Sequence, residues 1–85
     1  MTSANRTTDI TAGPGGIMTD EVGVVTGDLT VQSSVDEQCA LTVHVQYKDA
    51  AEWYTVTGGH AHLADPRDID AVHTVVTGIL NRPEG

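Results

Sequence analysis

The sequence predicts an α+β fold: an antiparallel three- or four-stranded meander with one C-terminal helix packed on one face, a two-layer sandwich. Three observations point there. Leu41, Val43, Val45 and Tyr47 alternate with Thr42, His44 and Gln46, the period of a half-buried strand. Ile69, Val72, Val76, Ile79 and Leu80 recur at three- and four-residue steps, the stripe of an amphipathic helix. The whole chain is 85 residues, enough for one domain at most.

Taken in order, residues 1–20 read as a disordered tail. They are rich in Thr, Ser, Ala and Gly, and Ala12-Gly13-Pro14-Gly15-Gly16 has no periodicity. The single α+β domain is expected over residues 21–83. Val22 to Thr26 and Leu29 to Ser33 are strand-like runs. Gly27-Asp28 between them suits a type II′ hairpin turn, or else a bulge within one strand. Ser34 to Gln38 is polar and turns the chain.

The central hairpin follows. Its first strand is the alternating run above, and Lys48-Asp49-Ala50-Ala51-Glu52 interrupts it. Trp53 to Thr57 resumes as the second strand. All three aromatic residues of the chain lie here, so this hairpin is expected to hold most of the core. If Tyr54 and Val56 face inward with Leu41, Val43 and Val45, then Trp53 shares the outer face with His44 and Thr42. If the helix covers the other face, Trp53 is core.

Gly58-Gly59 is expected to break the strand, leaving His60 to Leu63 as a short further strand or an extended arm. Asp65-Pro66 is the sharpest local signal. Asp65 is a natural N-cap, Pro66 fits the first helical position, and Asp68 and Asp70 suit the positive end of a helix dipole. Val, Thr and Gly78 give the helix poor propensity, so packing must hold it. Asn81 can close it and Pro83 stops it.

Composition narrows function. Twelve acids against four bases give a net charge of −8. The basic footprint of a nucleic-acid binder is missing, and direct nucleic-acid binding is not expected. A double-stranded-RNA-binding layout would need a basic helix start, and Asp65, Asp68 and Asp70 stand there instead. Attachment to an anionic membrane is disfavoured for the same reason, and no apolar run reaches spanning length. With one cysteine, Cys39, no intrachain disulfide can form. The start of the chain lacks the pattern of a signal peptide, so a cytoplasmic location is the default expectation.

The candidate chemistry is thin. His60 and His62 are one residue apart, which on an extended segment puts both rings on one side, as metal ligands require. His44 could join from the neighbouring strand, and Cys39 could supply a thiolate. The plainer reading is two partly exposed histidines after a Gly-Gly turn. His73 is expected on the helix surface at the edge of the stripe. Cys39 and His44 point to opposite faces of one strand, so they make no nucleophile–base pair. The glycine stretches lack the strand–loop–helix context of a phosphate loop. No cofactor is expected.

Tyr47, Trp53, Tyr54 and His44 are the candidate binding residues, aromatic anchors in a polar rim. The favoured class is therefore a small acidic protein-binding module without catalysis: a regulator, inhibitor or adaptor. Its partner is a basic protein, or a second copy in a homodimer, since a small chain with no Phe gains core by pairing. Two rival classes stand beside it. One is a ligand- or metal-binding protein or enzyme with a pocket between sheet and helix that uses His60, His62 and Tyr54. The other is an acidic mimic of nucleic acid.

Overall fold

The computed structural model describes residues 3–83. Four strands run in sequence order: β1 (Ala4–Thr19), β2 (Gly23–Val35), β3 (Ala40–Tyr47) and β4 (Tyr54–His62). A 3₁₀ turn at Pro66–Asp68 leads into helix α1 (Ile69–Leu80). Each strand pairs antiparallel with the next, and the helix packs against the sheet. The sheet curls until Thr19, at the end of β1, pairs with Val56 of β4 and closes a small barrel.

The stretch expected as a loose tail is mostly strand β1, the longest in the chain at 16 residues. Straight, it would reach about 50 Å, yet the longest dimension of the molecule is 37 Å. The strand must bend, and the unpatterned glycines are where it does so. Ala12 pairs with Gly27 and Ile17 with Val25, so Gly13 to Gly16 bulge out opposite Thr26 alone. Gly16 has φ +67°, and a Cβ there would run into the Val24 side chain and lie 2.7 Å from the Val25 carbonyl oxygen. Pro14 costs nothing in a bulge, where no ladder donor is needed. Each arm carries its own inward alternation, Ile10 with Ala12 and Ile17 with Thr19, all buried.

The stretch expected as a hairpin is one strand, β2, from Gly23 to Val35, with Val22 in the turn before it. Gly27, with φ +91°, sits within β2 at the edge of the β1 bulge. Gly58-Gly59 likewise does not end β4. Tyr54 pairs with Val45 and Thr55 with His44, then His60 pairs with Thr42, so Val56 to Gly59 bulge opposite Val43.

The core is aliphatic. It comprises Ile10, Ala12, Ile17, Val25, Leu29, Val31, Val35, Leu41, Val43, Val45 and, from the helix, Ile69. None of the expected aromatics is in it. Tyr47 and Trp53 are exposed, and Tyr54 packs at its margin. A barrel of only four strands has a narrow interior that β-branched side chains fill and an indole ring overfills.

Helix α1 packs chiefly on β1 and β2. Asp65 caps the entry as expected, accepting the Arg67 N–H at 2.8 Å. The exit is tied to β1: the Thr11 N–H donates to Asn81 Oδ1 at 3.1 Å, and the Arg82 N–H to the Thr11 carbonyl at 2.8 Å. The inward stripe is Ile69, Val72, His73, Val76 and Leu80, with Ile79 left 58% exposed. At 100° per residue His73 lies about 40° from Ile69 and Ile79 about 80° away on the other side. A small rotation of the helix decides between them, and His73 wins because it is hydrogen-bonded inside. Ser33 Oγ lies 2.8 Å from Nδ1 and Thr8 Oγ1 lies 2.8 Å from Nε2.

Candidate functional site

Two exposed apolar regions and one buried polar cluster are candidates for function. The first region is the open end of the β3–β4 hairpin. Tyr47 closes β3, and Trp53 lies in the connection just before β4, not on the outer face beside His44 and Thr42. Both rings are about two-fifths exposed, Tyr47 at 41% and Trp53 at 37%. The Tyr47 ring meets Tyr54 edge to face, with centroids 6.5 Å apart, so Tyr54 braces Tyr47 from the core side. The connection is held in shape by its backbone. The Ala50 N–H donates to the Tyr47 carbonyl, the Lys48 N–H reaches the Asp28 carbonyl, and Asp49 takes the left-handed conformation.

The surroundings of these rings are acidic. Asp28, Asp49 and Glu52 are exposed at this end, against one base, Lys48. Asp20 and Glu21 reach over from the β1–β2 turn and pin the start of β4. Glu21 accepts from the Thr55 N–H at 2.7 Å and from the Thr55 hydroxyl at 2.9 Å, and Asp20 accepts from the Thr57 hydroxyl at 2.7 Å. The bond from the Thr55 backbone, then that from its hydroxyl, holds the Glu21 carboxyl below the usual carboxylate range.

His44 lies apart from the aromatic end. It pairs in register with Gln32 and Thr55 on the polar outer face, bordering a shallow recess with Asn5, Ser34 and Thr42. Its Nδ1 is buried without a hydrogen-bond partner among the described residues. His60 pairs with Thr42 and His62 with Ala40, and both are exposed. Among the described residues no three His, Cys, Asp or Glu side chains converge as a metal site needs.

The second region is a slot of about 210 Å³ between α1 and the β3–β4 hairpin. It exists because the helix leans on β1 and β2 and stands off from β4. One wall is Val43, Val56, Thr57, Gly58 and Gly59; the other is Val76, Ile79 and Leu80. No histidine or tyrosine lines it. Gly59 keeps it open: a Cβ there would lie 3.0 Å from the Val43 Cβ and 3.1 Å from the Val56 Cβ. On the far side of Leu80 a second groove runs over Gly13, Gly15, Gly16 and Ile17 to Arg82. Ile79 is therefore a ridge between two hollows, with Val75 one turn before it at 59% exposure.

The buried cluster is Ser33–His73–Thr8. Burial first, and nearby Arg6 second, push the His73 imidazole below its ordinary value, while Asp70 opposes them. A hydroxyl on an imidazole is the contact from which nucleophilic catalysis is built. Here Ser33 has no exposed surface, so no substrate atom can reach its Oγ while the helix is docked. The cluster instead ties α1 to β1 and β2. Its signal in the sequence is a shared phase: Ser33 follows Leu29 and Val31 at two-residue steps, and His73 follows Ile69 by four.

No family model, no curated protein and no solved structure matches the chain.

Proposed function

We propose that the chain is a small acidic protein-binding module, acting as a regulator, inhibitor or adaptor with no chemistry of its own. The aromatic end of the β3–β4 hairpin is its contact for a basic partner. One observation carries this reading: Tyr47, braced by Tyr54, and Trp53 are both exposed at the open end of the β3–β4 hairpin, which also carries Asp28, Asp49 and Glu52. Aromatic anchors give binding energy, and a ring of like charge selects the sign of the partner and speeds encounter. The buried position of Ser33 also favours binding over catalysis.

The test is selection of random peptides on the immobilised chain. Enriched peptides should be rich in Lys and Arg, should lose affinity as salt rises, and should fail on Trp53→Ala. Peptides without a basic bias, or peptides that bind Trp53→Ala as well as the unmodified chain, would refute the assignment. An acidic nucleic-acid mimic also predicts salt-sensitive capture of basic proteins, but it places the energy in spaced carboxylates and not in Trp53.

A further inference from the structure

The acids of this chain are unevenly spread. No Asp or Glu occurs from Trp53 to Ala64 or from Ala71 to Pro83. The fold brings those two segments together as the walls of the slot between β4 and α1. In a chain of net charge −8, the described residues that line the slot include no carboxylate; Asp20 stands at its rim, tied to the Thr57 hydroxyl, and Arg82 borders the groove beyond Leu80. A basic partner would gain nothing here over the rest of the surface. A second copy, which every other face repels, is repelled least here.

The shape agrees with the charge. A two-fold interface must be self-complementary: what protrudes from one copy must enter a hollow in the other. Ile79 protrudes directly beside the slot. The slot has the volume of roughly seven waters at ~30 Å³ each, room for one branched aliphatic side chain. We infer that two copies of this chain pair across this face, each placing Ile79 in the slot of the other, with Val75 packed alongside. Gly59 keeps the hollow and Ile79 fills it, so the same surface supplies both halves of the contact.

A standard interface takes about 800 Å² from each partner, a sixth or so of the 4992 Å² surface of the described chain. The slot, the Val75–Ile79 ridge and the second groove form one continuous face. Beyond Gly16, Val24 extends it with further exposed apolar surface.

This pairing does not depend on the hairpin reading, and one experiment separates them. Sedimentation of the full chain over a concentration series, at low and high salt, should show a monomer–dimer equilibrium. Added salt should strengthen it, because salt screens the repulsion between two acidic copies. Ile79→Glu should raise the dimer dissociation constant about 30-fold or more, the effect of losing a central anchor. Val75→Glu should weaken pairing less. Trp53→Ala should leave it unchanged. Amide exchange compared between dilute and concentrated chain should show added protection at residues 56–59 and 75–80, a reading that needs no variant to fold. A chain that stays monomeric throughout, an Ile79→Glu chain that pairs normally, or concentration-dependent protection confined elsewhere would each overturn the inference. The hairpin assignment would survive any of these, since its own test turns on Trp53.

Discussion

The hairpin end and the helix slot differ in one respect that decides their partners. Both expose large apolar side chains to a similar extent, Tyr47 and Trp53 in one, Val75 and Ile79 in the other. The hairpin end carries Asp28, Asp49 and Glu52, while the residues lining the slot include no acid and one, Asp20, is tied to its rim at Thr57. Exposed apolar area by itself says only that something binds. The charge around it says what kind of partner, and it sets the sign of the salt response. Basic peptides at the hairpin should leave as salt rises, whereas pairing at the slot should tighten.

The sharpest way to break this contrast is to exchange single anchors. Trp53→Ala should cost about 2 kcal/mol or more of peptide binding, measured by titration calorimetry against a selected basic peptide, while the dimer constant stays put. Ile79→Glu should do the reverse. A variant that damages both sites equally would show that they are one surface.

A second prediction separates the sites through stability. Ser33→Ala leaves His73 Nδ1 buried without its hydroxyl, at a cost of about 1–3 kcal/mol, read as a lower midpoint of thermal unfolding. Because His73 ties α1 to the sheet, pairing at the slot should weaken with it. The hairpin lies on β3 and β4, away from the helix contacts, and should keep its peptide affinity until the chain unfolds.

pH gives the third. The folded His73 ring binds its proton less readily than in the unfolded chain, whose ordinary value is 6.5. Between the depressed folded value and 6.5, the unfolded state therefore holds more protons. The contribution of His73 is complete above 6.5 and declines as pH falls below it. Unfolding midpoints measured downward from neutrality should fall in that window, and the fall should shrink in His73→Gln.

Glu21 gives the smallest expected effect, on the hairpin side. Its carboxyl is held below 4.5 by Thr55, so the latch it forms on β4 is present above that value and is lost as acid protonates it. Glu21→Gln should raise amide exchange near Thr55 and Val56 and leave α1 unmoved. The group is exposed, so little change in global stability is expected.

Much of this frame could be read from the chain before any fold was known. The alternation of Leu41, Val43 and Val45 marks β3 and its inward face, because a strand permits only two directions for a side chain. Asp65 and Pro66 mark the helix entry, since that cap is a contact between near neighbours. β1 reads as a loose tail because its pattern is split. Ile10 and Ala12 belong to one arm, Ile17 and Thr19 to the other, and the glycines between them look like a loop when they are a bend. Trp53 reads as strand, on the outer face or in the core, because the residues after it are strand-like. Ring closure to Thr19 and Asp20 starts β4 one residue later.

What the sequence determined by itself was therefore local: strand period, helix entry and exit, and a surface too acidic for nucleic acid. Tertiary structure alone decided which side of α1 faces inward. The choice between His73 and Ile79 turns on Ser33, forty residues earlier, and Thr8, sixty-five residues earlier. A helix reads its own amphipathicity only to within a fraction of a turn. The partner it lies against supplies the rest, by offering a hydroxyl to one side chain and open solvent to the other.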